Sequence, residues 1–160
     1  MAKDKAPVTP AVRLLRAEKA LYTDHLYAYQ DKGGTAVSAR ELGVDEHSVI
    51  KTLVMEDEGH NPLIILMHGD RQVSTRELAR QIGARQVNPC APEMALKHTG
   101  YQVGGTSPFG TRRPMPVYVE ATIAGLERIY INGGKRGYLV SMAPSELQRI
   151  LKPVAVSAAL

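Results

Sequence analysis

The stretch SVIKTLVMEDEGHNPLIILMH, Ser48 to His68, decides the fold class. Two runs rich in Val, Ile and Leu flank an acidic turn that contains a glycine, which is the pattern of two strands joined as a hairpin. On the amino-terminal side, Thr9-Pro10 supplies an N-cap and a first-turn proline for a helix through about Lys19, with Val12, Leu14 and Leu15 inward. LYTDHLYAY, residues 21–29, roughly alternates and predicts a half-buried strand. A short helix near Ala36–Leu42 stops at Gly43, and Asp45 caps one more turn. On the carboxy-terminal side, Ser74 and Glu77 have capping-box spacing for a helix that places Leu78 and Ile82 on one face and ends at Gly83. PEMALKHT predicts a helix from Pro92 to Gly100. PVYVE, ERIYIN and YLVSM read as strands, the last two joined by a tight GGKRG turn. Pro144-Ser145 opens a last helix, and PVAVS adds a final strand. Short strands interrupted by helices, with hairpin-like connections, specify α+β with a mixed or largely antiparallel sheet, not a βαβ repeat.

Bulk properties narrow the function classes. At 160 residues the chain reads as one domain, residues 1–160, with 1–8 frayed; a chain of about 150 residues buries roughly 68–70% of its unfolded surface. Trp is absent and Phe occurs once, so aliphatic residues and Tyr build the core. The single Cys90 excludes an intramolecular disulfide framework and, with no secretory h-region, points to the reducing cytoplasm. No apolar run approaches the ~20 residues of a membrane span. Net charge is +4 and the pI about 9.3, which permits a polyanionic partner without demanding one. Arg112-Arg113 and Lys135-Arg136 each sit beside a glycine-rich segment.

One of those segments, TGYQVGGTSPFGTRRPMP from Thr99 to Pro116, contains the longest stretch without a regular element, and such loops in compact domains are functional or disordered. Its prolines argue for order. It is not a P-loop, because no Lys-Ser/Thr pair follows the glycines, nor a nucleophile elbow, because Pro108 removes the backbone N–H after Ser107. Gly104 and Gly105 offer unobstructed backbone that can aim N–H groups at an oxygen, or simply a rigid turn. Ser107 reads as a binder, not a nucleophile. Lys51 shares a strand face with Val49, Leu53 and Met55, so its ammonium is either partly desolvated or snorkels to water. Thr52 lies on the opposite face, and Tyr27 can place a hydroxyl at a pocket rim or serve packing alone. The histidines show no metal-ligand spacing, Cys90 has no CxxC or adjacent His, and no cofactor is expected. A glycine-lined pocket with a lysine but no nucleophile or acid–base pair fits a binding module or an enzyme whose catalysis is positional.

TPAVRLL, VIKTLV, LARQIGA, TGYQVGGTSPFG and INGGKRG occur in the order and near the spacing found in the YbaK/EbsC family, and the chain resembles that family from about Thr9 to Pro153. The resemblance implies a trans-editing aminoacyl-tRNA deacylase related to the prolyl-tRNA synthetase editing domain, with a six- or seven-stranded barrel-like sheet and no metal. It implies removal of cysteine mischarged on tRNA(Pro), with the substrate's own thiol attacking the ester. Lys51 looks like the family's functional lysine, placed to hold the terminal nucleotide of the tRNA, and is the catalytic candidate. Tyr27, Thr52, Gly104, Gly105, Thr106, Ser107, Pro108, Asn132, Gly133 and Gly134 then become substrate-binding positions. The implied partners are mischarged tRNA(Pro) and, transiently, prolyl-tRNA synthetase, with Arg112 and Arg113 as a separate contact to the tRNA backbone. Two residues depart from the pattern: Asn132 stands where relatives often carry Ser, and Leu139 where they carry Asp. Relatives acting on Ala-tRNA(Pro) share the fold and the lysine, so the resemblance makes that the nearest alternative substrate, and the Leu139 departure allows an alternative of a different class, a non-catalytic tRNA- or synthetase-binding adaptor.

Overall fold

The structure, a computed structural model, describes residues 5–160. Of the expected frayed start, residues 1–4 lie outside the described residues, while Ala6 packs, partly buried, on the main core. Helices α1 (Pro10–Ala17), α2 (Gly34–Leu42), α3 (Thr75–Ile82), α4 (Pro92–Thr99) and α5 (Pro144–Leu151) surround one sheet of eight strands. The strands are β1 (Thr23–Leu26), β2 (Val49–Asp57), β3 (Pro62–His68), β4 (Val87–Pro89), β5 (Val117–Glu120), β6 (Ile129–Lys135), β7 (Tyr138–Met142) and β8 (Val154–Val156). Their order is β1-β7-β6-β2-β3-β5-β8, with β4 paired to β2. The β2–β3 hairpin forms as expected, from Ile50 opposite His68 to Glu56 opposite Pro62. The sheet is mixed, because β2 with β6, β3 with β5, and β5 with β8 run parallel.

Local chemistry explains the helix ends. The Thr9 hydroxyl accepts from the Val12 amide at 3.1 Å and starts α1, while Gly43, Gly83 and Gly100 close α2, α3 and α4 in the left-handed region. The capping box of α3 is only half made. Ser74 Oγ accepts from the Glu77 amide at 3.1 Å, but the Ser74 amide donates to the Ala158 carbonyl and the Glu77 carboxylate accepts from Arg80 instead.

The main core joins α1, β6, β7 and α5 through Val12, Leu15, Ile131, Val140 and Leu147, with Phe109 inserted among them. A second cluster seats Leu78 of α3 on Met55, Leu63 and Ile65. A third sets Ala39 of α2 against Val49 and Leu139. β3 is buried along its whole length, which accounts for its unbroken apolar run.

Three elements differ from expectation. β1 stops at Leu26, because its partner β7 begins at Tyr138 and the Tyr27 amide donates to the carbonyl of Gly137 at 3.0 Å. β6 continues through Gly133 and Gly134 to Lys135 with a register shift, so the glycines form a bulge and the tight turn narrows to Arg136-Gly137. β4 was not expected at all; three residues ending in proline carry no periodic signal.

Candidate functional site

A lapse in strand pairing opens the site. β2 pairs with β3 along one edge, but along the other it pairs with β6 only at Val49 and Ile50 and with β4 only from Met55 to Asp57. Between these partners, at residues 51–54, the Cys90 amide donates to the Val54 carbonyl at 3.0 Å. A cleft of about 670 Å³ lies there, walled by β2, by Tyr27 and Tyr29 beyond β1, and by Gly104, Thr106, Asn132 and Leu139.

Lys51 and Thr52 both line the cleft although they point to opposite faces of β2. The Lys51 ammonium donates to the Arg71 carbonyl, not to a carboxylate. Residues 71 and 72 are tied in turn to Leu160, with Arg71 Nε donating to its carbonyl and its amide donating to the Gln72 carbonyl, both at 2.9 Å. Burial lowers the Lys51 pKa from the ordinary lysine value, and the charges of Glu46 and Asp70 oppose the shift. Among the described residues, the buried Thr52 hydroxyl has no hydrogen-bond partner. Leaving such a group unsatisfied costs about 1–3 kcal/mol. Burial raises the Tyr27 phenol, and bonds involving Gly137 and Ser38 pull it back.

The glycine loop is bound mostly to itself. Tyr101 donates its hydroxyl to the Phe109 carbonyl at 2.7 Å, and Phe109 is 0% exposed. Gly104 and Thr106 line the cleft. Gly105, Ser107 and Pro108 are buried and do not. The Gly105 amide, expected to face a ligand oxygen, donates instead to Gln102 at 2.8 Å, and a side chain there would meet the Arg136 backbone at 2.7 Å. Ser107 Oγ accepts from the Phe109 amide at 3.2 Å, which makes it a loop staple where a substrate binder was expected.

Asn132 joins the two glycine-rich segments. Its Nδ2 donates to the Gly104 carbonyl at 3.2 Å and its Oδ1 accepts from the Gly134 amide at 2.7 Å. Gly133 and Gly134 lie outside the cleft lining, where glycine is required by packing: a Cβ would stand 2.3 Å from the Tyr138 ring at Gly133 and 2.8 Å from the Tyr101 ring at Gly134. Arg112 and Arg113 are outside it too, with backbone amides bonded to Thr99 and His98.

Sequence reasoning missed Tyr29, which alternates with Tyr27, and noted Arg136 only as a basic spot; both line the cleft. Cys90 lines it as well, and burial, helped by Glu56, pushes its thiol up to about 11, so it is protonated and unreactive at neutral pH. Leu139, 4% exposed, contributes an apolar wall. Among the described residues no cluster of three or more His, Cys, Asp or Glu could hold a metal ion.

The sequence model described as an aminoacyl-tRNA editing domain matches residues 32–150. An Enterococcus faecalis protein with the provisional name Cys-tRNA(Pro)/Cys-tRNA(Cys) deacylase EbsC is 28% identical over 149 residues, covering 92% of this chain and 91% of its own length. A proline–tRNA ligase of Ligilactobacillus salivarius is 29% identical over 102 residues, which cover 62% of this chain but only 17% of the ligase. Among solved structures, hypothetical protein APE2540 superposes with a TM-score of 0.87 at 20% identity, covering 95% of this chain and 100% of that one. A protein provisionally described as a trans-editing enzyme for prolyl tRNA synthetase gives 0.82 at 19% identity, covering 96% and 99%. The structural likenesses establish the shared fold.

Proposed function

The chain belongs to the aminoacyl-tRNA editing domain family and is an enzyme of aminoacyl-ester cleavage, and on that premise we propose that it removes cysteine mischarged on tRNA(Pro), with Lys51 as the catalytic cation. The observation that carries this reading is the content of the cleft: a partly desolvated ammonium, an unpartnered Thr52 hydroxyl and a thiol held protonated. Such a site orients and polarises, and it leaves the nucleophile to the substrate.

In the proposed reaction the substrate's cysteine sulfur bonds to its own ester carbonyl carbon, the bond from that carbon to the ribose oxygen breaks, and the thiol proton ends on the ribose hydroxyl. The products are a cyclic thioester, which water opens to cysteine, and free tRNA. Lys51 offsets the negative charge that develops on the ester oxygens. Thr52, Tyr27, Gly104, Thr106 and Asn132 shape the aminoacyl pocket, and Gly105, Ser107, Pro108, Gly133 and Gly134 hold that shape from beneath. The partners in this reading are tRNA(Pro) and, in a transient complex, prolyl-tRNA synthetase, and the setting is the cytoplasm. No described helix is long and apolar enough to cross a membrane.

The apolar Leu139 wall favours a second reading, Ala-tRNA(Pro), since a methyl side chain fits such a wall and water would then attack. A deacylation panel with Cys-, Ala- and Ser-tRNA(Pro), with and without prolyl-tRNA synthetase, separates the readings. Thiol assistance predicts fast loss of cysteine and slow loss of alanine and serine. Equal rates for all three would replace thiol attack by water attack, and three intact esters beside tRNA binding would leave only an adaptor.

A further inference from the structure

The mouth of the cleft carries an aromatic and cationic pair that ester chemistry leaves unused. Tyr29 is half-buried on the segment after β1, and Arg136 is exposed at the β6–β7 turn with its guanidinium carbon 5.3 Å from the centre of the Tyr29 ring. Arg136 Nε donates to the Val103 carbonyl at 3.0 Å, which sets the guanidinium plane. No carboxylate is ion-paired to Arg136 among the described residues. The pair abuts the cleft glycine directly: the Tyr29 hydroxyl lies 2.5 Å from where a Cβ on Gly104 would stand. The cleft lining includes three cations, Lys32, Lys51 and Arg136, against one carboxylate, Asp31.

We propose that Tyr29 and Arg136 form the platform on which the 3′-terminal nucleobase of the acceptor strand stacks, so that the protein grips the terminal nucleoside as well as the ester. This rests on the reading that the substrate is an aminoacyl-tRNA. The 3′ end of a tRNA is single-stranded, and unpaired bases are held by stacking on aromatic rings and guanidinium planes while nearby cations meet the phosphates. A pocket of about 670 Å³ is within the size range that encloses a ligand larger than one amino acid. Because Asn132 and Arg136 flank one bulge and both contact the carbonyls of residues 103–104, the platform and the ester pocket share one support.

The test is binding, independent of catalysis. The affinity of the full chain is measured by fluorescence anisotropy for an acceptor-stem RNA hairpin ending in CCA and for the same hairpin with an abasic 3′-terminal ribose. Wild type should bind the intact end about tenfold more tightly. Tyr29→Ala and Arg136→Met should each bring the intact end to the abasic affinity, while Tyr29→Phe, which keeps the ring, should retain the preference. Equal wild-type affinity for the two hairpins overturns the platform without needing any variant, as does a preference that survives Tyr29→Ala. Base-dependent binding with no deacylation in the panel above would instead sink the deacylase reading and leave the platform standing.

Discussion

The loop from Gly100 to Pro116 and the strand segment from Lys51 to Val54 border the same cleft on opposite terms. The loop is conspicuous in sequence yet satisfies itself, spending the Tyr101 hydroxyl, the Ser107 hydroxyl and the Gly105 amide on its own backbone. The strand looks ordinary, yet among the described residues it keeps a hydroxyl without a partner and an ammonium that donates to a backbone carbonyl and to no carboxylate. Glycine and proline density thus records close backbone packing, whereas chemical potential collects where sheet pairing lapses.

The largest expected effect separates the two regions by kind. Phe109→Ala should cost about 3–5 kcal/mol in urea unfolding, as for a fully buried aromatic. Loss of stability below about 1 kcal/mol would mean the loop is not anchored as described. Lys51→Ala should leave the unfolding midpoint nearly unchanged but slow deacylation of Cys-tRNA(Pro) by more than about tenfold, roughly 1.4 kcal/mol of transition-state stabilisation. A wild-type rate would move the catalytic role away from β2.

The pH dependence sharpens the same contrast. Burial lowers the Lys51 pKa, so the ammonium is lost as pH rises through a value below that of a free lysine. After subtraction of spontaneous hydrolysis, kcat/KM should therefore fall at alkaline pH before the free-lysine range is reached. In Lys51→Arg, whose charge persists, that descending limb should vanish from whatever rate remains.

Thr52→Val should act in opposite directions on the two properties. Removing an unsatisfied buried hydroxyl should raise stability by about 1 kcal/mol, while kcat/KM drops several-fold and Thr52→Ser retains most of it. A stability loss in Thr52→Val would show that the hydroxyl already has a partner in solution. The smallest effect belongs to Cys90. With its thiol pKa at about 11, roughly one molecule in 10,000 carries the thiolate at pH 7, and Cys90→Ser should change deacylation by less than about twofold.

Much of the fold was legible because its signals are local. Thr9 and Ser74 cap their helices through hydroxyl bonds spanning three residues, and Gly43, Gly83 and Gly100 end helices through a backbone conformation that other residues resist. The β2–β3 hairpin is likewise written in two adjacent apolar runs. Residue type and pattern single out Lys51, Tyr27 and Gly104, the family resemblance adds Thr52, Thr106 and Asn132, and the fold brings all six to one cleft.

The cleft itself was decided only by tertiary structure. It exists because β6 leaves β2 after Ile50 and β4 joins it at Met55, and no residue near Lys51 encodes where two distant strands end. The same holds for Gly105, which is buried with the backbone of the distant Arg136 packed against it. It holds for Tyr29 and Arg136, 107 positions apart in sequence and stacked in space. Caps, turns and strand runs are short-range and additive along the chain. Edges, gaps and stacked pairs depend on register between segments, and that register is settled only when the whole sheet packs.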